Sequence, residues 1–157
     1  MKKARYYKKL DIFITGNSEQ STHVQGKKKA RGIYLITNEI EKAGLNFCCF
    51  QEVRYRNSGR KTVRLSSGDE YEFIWCGKKR RRDAGVGLLI KVDSEIVVSD
   101  PEISDSRLMV INIKLYGFNI RLINAYSPTN VDGSPQQKDA FYRSLQKHAI
   151  RRRNMKS

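Results

Sequence analysis

The stretch Asn46 to Arg54 reads NFCCFQEVR. Phe47 to Phe50, with Leu45 ahead of them, make a short apolar run of the kind a buried strand requires, and the run breaks abruptly into Gln51, Glu52, Val53 and Arg54. Functional groups collect at the C-terminal ends of strands in layered α/β folds, where a rigid scaffold adjoins an open crevice. Glu52 is therefore the first candidate for chemistry, with a solvated glutamate in a turn as the alternative.

Upstream, Leu10 to Thr15 (LDIFIT) reads as a strand that stops at the turn pair Gly16 and Asn17. Ser18 to Lys29 is polar and basic and reads as a loop. From Ala30 to Ala43, the apolar positions Ile33, Leu35, Ile36 and Ile40 fit one helical face, and Gly44 stands where a C-terminal cap belongs. A strand, a helical crossover and a second strand predict two parallel strands, with Asn17 and Glu52 at the same end of the sheet.

Downstream, Arg54 to Gly68 is polar and basic and reads as a surface loop carrying Arg54, Arg56, Arg60, Lys61 and Arg64. Tyr71 to Cys76 and Val86 to Val92 predict a hairpin whose tip holds Lys78, Lys79, Arg80, Arg81 and Arg82. Glu95 to Val98 predicts a short strand, and Arg107 to Leu115 with Phe118 to Tyr126 predicts a second hairpin about Tyr116 and Gly117. Ser134 can cap a helix that begins at Pro135 and turns Phe141, Leu145 and Tyr142 toward the core. Residues 1–8 read as a basic tail, 9–148 as a domain and 149–157, with Arg151, Arg152 and Arg153, as a disordered basic tail.

Charge is the outlying property of this 157-residue chain. Thirty-one Lys and Arg against 16 Asp and Glu give +15, a field that attracts polyanions before any specific contact forms. Nucleic acid is the expected partner and an anionic membrane surface the competitor; no apolar stretch is long enough to span a membrane. The N-terminus lacks the apolar core of a signal peptide, so an intracellular protein that is not secreted is expected, and KKRRR at positions 78–82 also fits nuclear import. Cys48, Cys49 and Cys76 lie in strand-like runs without zinc-type spacing and read as reduced core residues. Trp75 and Tyr126 read as core aromatics before base-stacking platforms.

Four short patterns stand in order: ITGN at Ile14 to Asn17, QEVR at Gln51 to Arg54, SDSR at Ser104 to Arg107, and NAYSP at Asn124 to Pro128. Together they resemble the N-terminal part of the endonuclease/exonuclease/phosphatase superfamily, nearest to the endonucleases of non-LTR retrotransposons and the craniofacial development protein 2-like proteins. In that family the first strand ends in Trp-Asn, the next in Gln-Glu, and a later one in Asn-x-Tyr-x-Pro. The resemblance implies an α+β fold, part of a four-layer α/β/β/α sandwich of DNase I type. It also implies Mg²⁺-dependent hydrolysis of phosphodiesters in DNA, with Glu52 and Asn17 as metal ligands and Asn17, Glu52 and Tyr126 as the catalytic set. Arg54, Arg56, Lys78, Lys79, Arg80, Arg81 and Arg82 are the expected nucleic-acid contacts.

The chain also departs from that pattern. Gly16 stands in place of the family's tryptophan, and Thr129 follows Pro128 where many members have asparagine. The family's later Gly-Asp-Phe-Asn and Ser-Asp-His patterns do not occur, and His23 and His148 lack the context to replace them. A half-site that is inactive alone is therefore the expectation, with a non-catalytic nucleic-acid-binding remnant as the alternative. The shift to RRRNMKS after His148 suggests a splice or frame change. Without the later strands, one sheet would keep an uncovered face and edge, at a loss of roughly 25 cal/mol per Å² of apolar area, so marginal stability or self-association through that sheet is expected.

Overall fold

The computed structural model describes residues 27–80, 84–130 and 133–150. The expected strand at Leu10 to Thr15, its parallel pairing, Asn17 and the tail from Arg151 onward lie outside the described residues. The fold is α+β: two antiparallel sheets and two helices among the described residues.

Helix α1 spans Lys27–Lys42, three residues earlier than the sequence pattern suggests. Its buried face is Ile33, Thr37 and Ile40, at helical spacing, and the Thr37 hydroxyl donates to the Ile33 carbonyl at 2.6 Å. Leu35 and Ile36, expected on that face, are exposed because Thr37 takes their place. The helix stops as Gly44 predicts. Gly44 adopts φ 69°, its N–H donates to Glu41 and the Leu45 N–H donates back to Ile40, which satisfies two terminal carbonyls.

The first sheet comprises β1 (Phe47–Gln51), β2 (Ser58–Arg64), β3 (Glu70–Cys76) and β4 (Val86–Lys91), in the order β1-β4-β3-β2. The expected β3–β4 hairpin is present. Strand β2 corrects the loop expected over Arg54 to Gly68: it pairs with β3 from Ser58 opposite Cys76 to Arg64 opposite Glu70. SGRKTVR hides its strand character because it is an edge strand with a single buried residue, Val63, while Arg64 and Arg60 are held by Glu70 (2.5 Å) and Glu72 (3.4 Å) across the pair.

The second sheet is built on β7 (Leu108–Leu115). Strand β8 (Phe118–Ala125) runs along one edge of β7, while β5 (Ile96–Val98) and β6 (Glu102–Asp105) lie end to end along the other. Strand β6 was not legible in the sequence. Its four residues are mostly polar and pair through an irregular register with the strand that follows directly.

The two sheets meet face to face. Ile74, Val86, Leu88 and Ile90 of the first pack with Ile96, Met109, Ile111 and Ile113 of the second in one core. The other face of the first sheet, with Cys48, Tyr71, Phe73 and Leu89, is covered by Ile33 and Ile40 of α1. Helix α2 (Pro135–Ile150) lies against β8 with Phe141 and His148 buried; Leu145 is half-buried and Tyr142 exposed. Ser134 caps it as expected, and the cap is a full capping box: the Ser134 hydroxyl accepts from the Gln137 N–H, and the Gln137 side chain accepts from the Ser134 N–H. The helix continues through Ala149 and Ile150, beyond the predicted onset of disorder. His148 lies 3.7 Å from the Glu102 carboxylate.

Candidate functional site

Glu52 immediately follows β1, and its backbone leaves the strand in the left-handed region at φ 53°; Arg54 does the same at φ 52°. A non-glycine residue there typically costs about 1–2 kcal/mol and survives only where the surroundings impose it. The surroundings do so here. The Val53 and Arg54 N–H groups donate to the Gly85 and Ala84 carbonyls at 3.3 and 3.2 Å. Gly85 sits at φ 106°, where a Cβ would come within 2.9 Å of Val53 and 3.2 Å of the Cys76 carbonyl.

Across the sandwich, the end of β8 supplies the facing half. The buried Asn124 amide donates to the carbonyls of Phe50 (3.0 Å) and Gly87 (2.9 Å), and the Gln51 amide donates to the Ala125 carbonyl at 2.8 Å. These bonds fix the ends of β1 and β8 against each other. The Tyr126 hydroxyl consequently reaches Glu52 and donates to its carboxylate Oε1, while Arg54 Nη2 lies 3.6 Å from Oε2. Arg107 completes the group. Its guanidinium lies 4.8 Å above the Tyr126 ring and donates to the carbonyls of Tyr126 (3.4 Å) and Ser127 (3.3 Å).

Of the residues singled out in the sequence, Glu52, Tyr126 and Arg54 are brought together, whereas Asn17, Arg81 and Arg82 lie outside the described residues. Arg56 and Lys78 are neighbours at the same end of the first sheet, since the Asn57 N–H donates to the Lys78 carbonyl and the Trp75 indole N–H to the Arg56 carbonyl. Arg56, Lys79 and Arg80 are exposed. Arg64 instead faces Glu70 along β2, while Arg60 faces Glu72 and also reaches across to the Ser99 carbonyl and the Asp100 carboxylate, both at 3.2 Å. Trp75 packs with Phe73 and Tyr55 over the α1-covered core, and Tyr126 lies half-buried against the sheet-to-sheet core. Gln51, Asn124 and Arg107 have no role assigned from the sequence; their places in QEVR, NAYSP and SDSR are the signal that points to them.

Chemically, the end of the sandwich offers one carboxylate held by a phenol and a guanidinium, bordered by exposed cations. Glu52 is 28% exposed, so water and ions reach it. No group of three or more His, Cys, Asp or Glu suited to a metal occurs among the described residues. Cys48, Cys49 and Cys76 are free thiols, and burial pushes Cys48 up to about 11 and Cys49 up to about 12, as expected of inert core residues. Among the described residues no helix is long and apolar enough to cross a membrane.

Compared with known protein families and with characterised proteins, the chain matches no family model and no characterised sequence.

Proposed function

We propose that this chain carries the N-terminal half of a DNase I-like, Mg²⁺-dependent endonuclease site of retrotransposon type, directed at phosphodiesters in DNA and inactive without further groups. The observation that carries the reading is the Tyr126 hydroxyl bonded to Glu52 across the two sheets, at a residue held in the left-handed region. Backbone strain of this kind clusters at active sites and ligand clamps, and it supports this reading at a polar, partly exposed carboxylate.

A single carboxylate suits Mg²⁺, which takes one or two carboxylates and completes its shell with water and substrate phosphate. Glu52 would hold the ion with Asn17. The bound ion supplies charge neutralisation at the phosphoryl oxygens. Tyr126 orients the Glu52 carboxylate, Arg107 fixes the Tyr126 ring, and Arg56, Lys79 and Arg80 offer charge to the backbone of a polyanion.

The second reading is a basic nucleic-acid-binding protein without hydrolysis. It is favoured by the finding that no group of three or more His, Cys, Asp or Glu suited to a metal occurs among the described residues. Self-association belongs to either reading, since among the described residues β8 pairs only with β7.

Three measurements on the folded chain and its Glu52→Ala variant separate these readings: thermal shift with Mg²⁺, salt dependence of duplex binding, and nicking of supercoiled plasmid. We expect Mg²⁺ to raise the melting temperature of the wild type alone. DNA binding should weaken steeply with salt, with a log–log slope that falls by about 0.9 for each cation removed among Arg56, Lys79 and Arg80. Neither protein should nick. Absence of a Mg²⁺ effect in the wild type refutes the metal site, and nicking lost in Glu52→Ala refutes the half-site.

A further inference from the structure

Beside the Glu52 group lies a cavity of about 320 Å³, where the end of β3, the β6–β7 turn and the first turns of α2 converge. Its size falls at the lower end of the roughly 300–1,000 Å³ typical of small-ligand pockets. The junction is tied together by the Cys76 thiol, which donates to the Asp105 carbonyl at 3.2 Å, and by the Asp105 carboxylate, which accepts from the Arg107 N–H at 2.6 Å. Its lining divides by chemistry. Lys78 and Arg107 contribute two cations against the single Asp105, Pro128 and Phe141 contribute an apolar wall, and Gln137 contributes an amide. The wall is firm, because Phe141 is only 4% exposed and packs edge-on against Tyr142. The positive end of the α2 dipole adds to the cationic side.

We infer that this cavity binds a mononucleotide, with the phosphate toward Lys78 and Arg107 and the base against Pro128 and the exposed Gln137 and Ala140 of α2, over the buried Phe141. Two cations alone would serve any anion; the apolar wall and the amide beside them suit a planar heterocycle with a polar edge. The inference does not rest on phosphodiester hydrolysis. Arg107 nevertheless belongs to both places, since the same side chain lies over Tyr126, so a ligand that engages it would be sensed at the Glu52 end.

The test is an NMR titration of the ¹⁵N-labelled full chain with thymidine 5′-monophosphate, thymidine and inorganic phosphate in parallel. We expect saturable shifts of the Ser106, Gln137 and Ala140 amides with the nucleotide, and at least about tenfold weaker binding of thymidine and of phosphate. Ala140 is exposed on α2 and lines the cavity, so Ala140→Trp fills the space and should abolish nucleotide binding. Lys78→Ala adds no bulk to the cavity and should weaken the nucleotide about tenfold but not thymidine. Unsaturable shifts spread over the basic surface, phosphate binding as tight as the nucleotide, or wild-type affinity in both variants would overturn the inference. These outcomes are independent of whether the protein nicks DNA.

Discussion

The two ends of the sandwich are held in different ways. At the Glu52 end, the bonds cross between sheets: Gln51 to Ala125, Asn124 to Phe50 and Gly87, Cys76 to Asp105, and Tyr126 to Glu52. At the opposite end they stay within a sheet: Lys91 to Asp69, the Val92 N–H to Glu70 and the Tyr116 N–H to Glu95. Arg60, midway along β2, also crosses to the Ser99 carbonyl at 3.2 Å, but the ties are densest at the Glu52 end, which depends most on the relative placement of the two sheets. A carboxylate and a phenol brought from opposite sheets need such placement, whereas a hairpin turn needs none.

Breaking the cross-sheet ties should have the largest effect. Asn124→Ala removes two bonds from a buried amide and takes a donor from the buried Gly87 carbonyl and the half-buried Phe50 carbonyl, which we expect to cost about 2–4 kcal/mol. The expected readout is a lower urea midpoint at unchanged slope. A loss below about 0.5 kcal/mol would mean that the sheets are placed by apolar packing alone.

Two glycines sharpen the contrast, one near each end. Gly85 and Gly117 both have positive φ, at 106° and 85°, but a Cβ on Gly85 would press on the Cys76 carbonyl and Val53, whereas one on Gly117 meets open space. We expect Gly117→Ala to cost about 1 kcal/mol from backbone strain alone, and Gly85→Ala to cost about 2–3 kcal/mol because the clash is added. Equal costs in equilibrium unfolding would show that the segment around Glu52 yields freely.

The distribution of these ties explains what the sequence could reveal. Dense apolar runs such as YEFIWC and VGLLIK declare β3 and β4, because both faces of the first sheet are covered and successive residues meet a core on one side or the other. SGRKTVR does not declare β2, since an edge strand held by Arg–Glu pairs carries little apolar signal. Within the site, Glu52 was legible as a carboxylate at a strand end, whereas Tyr126 reads from the sequence as a core aromatic and is singled out only by the resemblance. The positive φ at Glu52 was not, since it comes from the Ala84 and Gly85 carbonyls, and the role of Asn124 was not, since its partners lie 74 and 37 residues away. Contacts made across a sandwich leave no local period in the chain.

Alkaline pH acts on the core that both ends share. Burial raises the Cys48 and Cys49 thiols in the folded protein to about 11 and 12, above the value of about 8.5 for an unfolded thiol. The folded state thus holds its protons longer. This contribution is fully present below the unfolded value and is lost as pH rises through the folded ones, so stability should fall between about pH 9 and 12. Replacing both cysteines by alanine should flatten that part of the pH profile, and an unchanged slope in urea titrations would assign the loss to other groups.

The smallest effect should come from the end opposite Glu52. Lys91 and Asp69 form a 2.9 Å ion pair with side chains 27% and 42% exposed, and their mutual hydrogen bond raises the lysine's pKa and lowers the aspartate's. A pair so open to water contributes little, because solvent screens it and two side chains must be ordered to form it. We therefore expect Lys91→Met to shift the urea midpoint only slightly, and the shift to shrink further in 1 M salt, where the screening length falls to about 3 Å. A loss comparable with that of Asn124→Ala, and insensitive to salt, would place a structural tie at this end as well. The cross-sheet bonds would then no longer distinguish the Glu52 end from the rest of the sandwich.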